Sequence, residues 1–206
     1  MSRRLTAVAL ALTAIALSGC ISLFPKADPA QLYRFEAHPP SRMFPPGPLF
    51  GVLRLQSAFP RASGGDRILT VNDQGEAAYI AGARWVSPAS VLFDEQVTTA
   101  FQGGGRARLI GRGEVIRADF SLKLDVQTFE THYDHGSKAA PEVVVVVRGV
   151  ITRNRDRALV SDQTFTARIR AGENRVGAIV PAYNTALSQV LGEVVGWVNT
   201  VDTTGA

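Results

Sequence analysis

Hydrophobic and polar residues alternate in several stretches of the chain beyond residue 48, the pattern of half-buried strands. The alternation is longest over 119–130, 142–152 and 158–170. In the middle stretch Val143, Val145 and Val147 share one side and Val144 and Val146 the other, which predicts a central strand buried on both faces. Shorter strands are predicted over 49–57, 67–72, 76–80 and 108–111. In 49–57 one side of the strand carries Leu49, Gly51, Leu53 and Leu55.

Two stretches have the three- and four-residue spacing of amphipathic helices. The first runs from Ser87 to Gln102, where Ser87 is placed to cap the helix and a run of three glycines to end it. The second runs from Arg175 to about Thr200, with Pro181 in its first turns and a broad apolar stripe of the kind that packs on a sheet. The sequence therefore predicts an α+β fold, an antiparallel-rich mixed β-sheet with two main α-helices packed on one face, in a single domain.

The N-terminus has the layout of an export signal. Arg3 and Arg4 precede an uncharged run from Leu5 to Leu17, which at about 1.5 Å per residue is too short to cross a bilayer of about 30 Å. The sequence Leu-Ser-Gly-Cys that ends at Cys20 resembles the lipobox of bacterial lipoproteins. That resemblance implies a lipoprotein signal peptide over 1–19, a diacylglycerol thioether on Cys20 and an acylated, for example palmitoylated, new amino terminus. The alternative is an ordinary signal peptide in which Cys20 is incidental.

Seven prolines fall between residues 21 and 48, so residues 20–48 are predicted to be a lipidated tether and residues 49–206 the domain. Within the tether, Gln31 to Phe35 alternates like a short strand placed to dock on the domain. Cys20 is the only cysteine, which leaves the domain no disulfide or thiolate metal site. The formal charge of +4 falls to +2 once Arg3 and Arg4 are removed, and a mildly basic exported domain is a poor candidate for nucleic-acid binding.

Candidate chemistry is sparse. His132, Asp134 and His135 share one loop and could ligate a metal, but a polar hairpin loop explains them more simply, because no third ligand stands at a convincing spacing. A cluster of Arg168, Arg170 and Arg175 is either a solvated face or a contact for an anionic partner. No nucleophile and base stand at a spacing that predicts catalysis, so we expect a non-enzymatic protein with no metal or cofactor.

A segment in the middle of the chain carries a family likeness. Tyr79 ends a predicted strand, an Ala-Gly-x-x-Trp segment with Gly82 and Trp85 follows, and Pro88 opens a helix. This arrangement resembles the ABC-type transport auxiliary lipoprotein family, which includes the PqiC-like outer-membrane lipoproteins. Further features that fit the family are Leu32-Tyr33-x-Phe35, Asp66-Arg67-Ile68, Ala118-Asp119-Phe120 and the last helix from Ala182 to Trp197.

The resemblance implies a periplasmic accessory lipoprotein of an intermembrane lipid transport system. Its implied partners are an MCE-domain periplasmic protein with an inner-membrane permease and ATPase, and further copies of itself in a ring. Ile21 after the lipidated cysteine favours the periplasmic face of the outer membrane. Two other classes stay open: a solute-binding lipoprotein, which needs a deep pocket between helices and sheet, and a metal-dependent enzyme using His132, Asp134 and His135. Trp85 is expected to pack in the core rather than to contact lipid.

Overall fold

The computed structural model describes residues 29–36, 44, 46–111, 113–114 and 116–203. The predicted signal peptide, Cys20 and Ile21 lie outside the described residues. The described elements are β1 (Gln31–Tyr33), β2 (Phe50–Arg54), β3 (Arg67–Asn72), β4 (Ala77–Trp85), α1 (Ala89–Gln102), β5 (Ala107–Ile110), β6 (Phe120–Tyr133), β7 (Glu142–Arg153), β8 (Leu159–Arg170) and α2 (Val176–Val198). They form one mixed sheet with two helices, and the predicted α+β fold is confirmed.

Strand β6 organises the sheet. One edge of β6 pairs along its whole length with β7 in antiparallel register, and β7 pairs in turn with β8. The other edge is shared by two smaller groups of strands. Near its start, Phe120–Leu122 pairs with β2, which carries β5, and near its end, Thr131–Tyr133 pairs with β3, which carries β4 and then β1. Nine residue steps of extended strand, about 30 Å, separate Leu122 from Thr131, where these two groups attach.

Helix α2 covers one face of the β7–β8 half of the sheet. Its buried stripe includes Ile179, Tyr183, Leu187, Val190 and Val194, which recur at helical spacing as the sequence predicts. The other face of β7 is only partly buried, since Val144 is covered but Val146 and Val150 are half-exposed. The prediction of a strand buried on both faces therefore holds for one end of β7 only.

One close contact fixes how α2 sits on the sheet. The ring of Trp197 lies over Gly149 of β7, where an added Cβ atom would come within 2.7 Å of the indole. The indole N–H donates a hydrogen bond of 3.0 Å to the Ser161 hydroxyl on β8, and the ring packs edge-on against Phe165 with centroids 5.4 Å apart. The glycine is needed because no larger residue leaves room for the indole.

Helix α1 begins differently from the prediction. Its N-cap is Pro88 and no side chain caps it, so the expected capping role of Ser87 is wrong. The free N–H groups of the first turn are instead satisfied by another loop, because the N–H groups of Ala89 and Ser90 donate to the carbonyls of Gly65 and Gly64 at 2.9 and 3.3 Å. A remote backbone segment thus replaces the local cap.

Two strands also differ from their predicted form. Strand β4 does not end at Ile80 but continues to Trp85 through an irregularity in its pairing with β3. In β2 the core side chains are Phe50 and Val52, and Phe50 packs edge-on against Phe120 at 5.6 Å. The side that carries Leu49 and Leu53 therefore faces away from the main core.

A short segment within the predicted tether belongs to the sheet. Gln31–Tyr33 pairs in parallel with Ala83–Trp85, and the ring of Phe35 is buried in the core. Strand β1 thus docks at the outer edge of β4. No helix within the described residues is both long and apolar enough to cross a membrane.

Candidate functional site

The family-motif tryptophan lies at the centre of an aromatic cluster. Trp85 is 2% exposed, and its ring centroid lies 4.7 Å from Phe35, 5.2 Å from Tyr183 and 6.4 Å from Phe129. These four rings come from β1 and its continuation, β4, β6 and α2. They join the edge of the sheet to the helix, so Trp85 is a packing residue in this structure.

The other motif residues shape the connection from β4 to α1. Gly82 has φ +67, a left-handed conformation that glycine adopts without strain, and it lies within the irregularity that carries β4 on to Trp85. The Tyr79 hydroxyl donates to the Ala62 carbonyl at 3.0 Å, and its ring lies 3.8 Å beneath the Arg67 guanidinium. The Pro88 carbonyl accepts the first helical bonds. All four residues thus have a structural task.

A buried polar pair lies next to this cluster. The hydroxyls of Tyr183 on α2 and Thr131 on β6 are 3.2 Å apart and wholly buried. Burial raises the pKa of the Tyr183 phenol far above its ordinary value, so the group stays neutral and serves as a hydrogen-bonding partner. The sequence signal for this pair is Thr131, a polar residue at an otherwise apolar position of β6.

The candidate metal ligands do not converge on one point. Asp134 accepts two hydrogen bonds from Arg170, and these hold the pKa of its carboxyl well below the usual range. Nδ1 of His135 lies 3.1 Å from the same carboxylate, while His132 turns towards Asp73 at 3.6 Å. Among the described residues no group of three or more potential ligands is arranged to hold a metal ion.

The arginine cluster is engaged by the protein's own carboxylates. Arg168 pairs with Glu142 at 2.9 Å, and Arg170 reaches both Asp134 and Glu142. Arg175 pairs with Glu173 two residues before it. Most of this charge is therefore balanced within the domain, which fits a solvated face better than a free anion-binding surface.

An apolar surface patch lies at the β2–β5 end of the sheet. Leu49 and Ile116 are 63% and 64% exposed, and they border a groove of about 540 Å³ between β2, β5 and the segment before β6. Arg108, Glu114, Arg117 and Asp119 line the same groove, with Arg117 Nε 3.9 Å from the Asp119 carboxylate. We call this the β2–β5 groove. Its mixture of large apolar side chains with charges of both signs is typical of a protein-binding surface.

A second cleft, of about 610 Å³, lies between the β3–β4 hairpin and the β6–β7 loop, with Ile80 and Tyr133 in its wall. It opens at the tips of loops. The space between helices and sheet, where the solute-binding hypothesis requires a deep pocket, is occupied by side chains such as Phe93, Phe129 and Tyr183. The geometry therefore favours a surface that docks over a pocket that encloses a small ligand.

Comparisons with known proteins agree with the family likeness. Residues 58–195 match the family model described as ABC-type transport auxiliary lipoprotein component. A solved structure from Xanthomonas campestris, assigned to the family DUF330, is 25% identical and superposes with a TM-score of 0.73, covering 82% of this chain and 94% of that one. A second structure, of an uncharacterized protein, is 12% identical with a TM-score of 0.62 and covers 83% of this chain and 99% of that one, which supports the fold alone.

No curated protein sequence matches the chain. The family model nevertheless spans most of the domain, from the loop after β2 to the last turns of α2. The match includes the Tyr79-to-Pro88 segment on which the resemblance rests. The chain therefore belongs to the ABC-type transport auxiliary lipoprotein family.

Proposed function

We propose that this protein is a membrane-anchored periplasmic lipoprotein, an accessory component of an MCE-type (Pqi-like) ABC system that moves lipid between membranes. The observation that carries the proposal is the family match over residues 58–195, preceded in the same chain by an apolar run that ends in Leu-Ser-Gly-Cys at Cys20. The family supplies the transport role, and the cysteine supplies the means of holding the domain at a membrane.

The anchor follows from the chemistry of Cys20. Each buried methylene contributes roughly 0.8 kcal/mol to membrane binding, so one acyl chain binds marginally and several bind stably. A cysteine that carries diacylglycerol and an acylated amino group has three acyl chains, which is enough for stable membrane binding. Ile21 as the next residue favours the periplasmic face of the outer membrane.

Docking is assigned to the β2–β5 groove. Exposed leucine and isoleucine side chains gain free energy when a partner covers them, at about 25 cal/mol per Å² of apolar area. Charges of both signs at the groove give the contact an orientation. The partners are an MCE-domain periplasmic protein with its permease and ATPase. Several copies of this chain, arranged in a ring, would each present a β2–β5 groove to one transport complex.

A pull-down from detergent-solubilised cell envelopes tests the proposal. The full-length protein and a Cys20→Ala variant are recovered through the same C-terminal tag, and proteins and lipids are identified by mass spectrometry. The proposal predicts an MCE-domain protein with its permease and ATPase in the wild-type sample, and loss of membrane attachment in the variant. Recovery of neither transporter subunits nor phospholipid with the wild-type protein would refute the transport role.

A further inference from the structure

One exposed patch of mixed apolar and basic residues lies at the edge of the sheet opposite β8. Leu32 on β1 is 63% exposed and Val86, just after β4, is 54% exposed. The register places Leu32 beside Arg84, and a hydrogen bond of 2.7 Å from the Val86 N–H to the Tyr33 carbonyl extends the ladder by one step. Arg34 follows at the surface. We call these four residues, Leu32, Arg34, Arg84 and Val86, the β1 edge.

We propose that the β1 edge is the surface with which the domain rests on the lipid leaflet that holds its anchor. The inference rests on the proposed lipidation of Cys20 and adds the orientation of the domain to it. The occupant is the headgroup region of a phospholipid leaflet that contains anionic lipid.

Chain length supports this placement. The chain takes eleven steps from Cys20 to Gln31, where β1 begins, and even at full extension these span at most about 36–40 Å. A domain of this size has a diameter of about 40 Å. If the β1 edge pointed away from the membrane, the tether would have to run fully extended past the whole domain. A tether that spans about half of that length or less keeps the β1 edge in the half of the domain that faces the membrane.

The chemistry of the patch fits a lipid surface. Exposed aliphatic side chains enter the boundary between headgroups and acyl chains, and nearby arginines attract anionic headgroups. Three arginines and two acidic residues lie in or beside the β1 edge, namely Arg34, Arg67, Arg84, Glu36 and Asp66. Arg84 is paired with Asp66 at 2.7 Å, and the other charged side chains of this set carry a net positive charge.

The position in the sheet also fits. The β1–β4–β3 group joins β6 near its end and the β2–β5 pair joins β6 near its start, about 30 Å apart. A domain that rests on lipid through the β1 edge therefore keeps the β2–β5 groove away from the bilayer and open to a periplasmic partner. One strand, β6, sets the distance between the two surfaces.

Depth-dependent fluorescence quenching tests the inference. Leu32→Cys, Val86→Cys and, as control, Leu159→Cys are made in the full-length lipoprotein, and each new thiol is labelled with an environment-sensitive dye. Lipidation uses the only natural cysteine, so each variant carries a single free thiol. Leu159 is a matched control because it is 64% exposed and begins β8, the edge strand on the far side of β7.

The labelled proteins are reconstituted into vesicles of phosphatidylethanolamine and phosphatidylglycerol that contain a quencher-bearing phospholipid. The inference predicts at least about twofold stronger quenching at positions 32 and 86 than at 159, as expected for side chains that enter the interface. Equal quenching at all three positions, or stronger quenching at 159, overturns it. Flotation of the unlabelled wild-type protein with the vesicles is measured alongside: if it floats and the quenching pattern fails, the orientation is wrong and the anchor stands, whereas failure to float overturns both.

Discussion

Replacement of Phe35 by alanine tests whether β1 is part of the folded domain. The ring is buried and packs 4.7 Å from Trp85 and 5.5 Å from Phe129, centroid to centroid. Loss of a buried phenylalanine ring costs about 3–5 kcal/mol of unfolding free energy, which includes the cavity left behind. Strand β1 is only three residues long and lies at an edge. If the substitution costs more than the free energy that holds β1 on the domain, β1 detaches and the rest of the domain stays folded. The measured loss therefore cannot exceed that docking free energy, and we expect about 3 kcal/mol.

Urea denaturation of the purified protein, followed by tryptophan fluorescence, measures the loss directly. Leu32→Ala is the matched control, three residues away on the same segment and largely exposed, and it is expected to change the unfolding free energy by less than about 0.5 kcal/mol. Limited proteolysis should cut Phe35→Ala within residues 29–36 while the rest of the domain stays intact. Equal effects of the two substitutions, or a loss below about 1 kcal/mol for Phe35→Ala, would refute the docking of β1 through this ring.

Three further substitutions test the packing and charge pairing of the domain. Asn199→Leu removes a buried amide whose oxygen accepts bonds of 2.6 and 3.1 Å from the N–H groups of Arg106, just before β5, and Ala107, its first residue. Thermal unfolding should report a loss of about 2–4 kcal/mol, and an unchanged midpoint would contradict this. Gly149→Ala drives a methyl group into the Trp197 ring and should cost about 1–3 kcal/mol with a changed Trp197 emission spectrum, whereas wild-type stability and emission would mean that the indole moves freely. The Asp134 pKa is held below its ordinary value of 3.8 mainly by the hydrogen bond from Arg170, so the unfolded chain takes up this proton first and stability falls as pH drops below about 3.8. Arg170→Gln should flatten that dependence in acid-unfolding curves, and identical curves for variant and wild type would rule the pair out as a cause.

The long strands and α2 were predictable because their patterns are long and regular. Strands β6, β7 and β8 are each twelve residues or longer and rich in regularly spaced apolar side chains, and α2 repeats its apolar stripe over 23 residues. Runs of this length fit one type of secondary structure much better than any other. The end of α1 was equally predictable, because Gly104, after the C-cap Gly103, adopts a φ of +107 that favours glycine.

The errors arose where distant residues decide the local structure. Ser87 is a sound capping residue by type, but the carbonyls of Gly64 and Gly65 occupy the N-terminus of α1. The strand predicted over 76–80 is too short, because Gly82 adopts a positive φ within a strand that continues to Trp85. Strand β2 is apolar on both sides, and only contact with Phe120 selects Phe50 for the core.

The candidate site shows the same limit. Sequence proximity brought His132, Asp134 and His135 together as possible ligands, but Arg170 binds Asp134 from 36 residues away along the chain. The β2–β5 groove could not be identified from the sequence, because Leu49 and Ile116 look like ordinary core residues until the fold places them at the surface. Exposure of an apolar side chain depends on the tertiary structure, not on the local pattern.

Photo-crosslinking in intact cells is the most direct test of the central claim that the domain docks to a lipid-transport complex through the β2–β5 groove. A photoreactive benzoyl-phenylalanine replaces Ile116 in one strain and Leu159, equally exposed and remote in the sheet, in another. After irradiation, adducts are purified through the tag and identified by mass spectrometry. The account predicts an adduct with an MCE-domain protein from position 116 and none from position 159. The same adducts from both positions, or none with any transporter subunit from position 116 at normal expression, would contradict it.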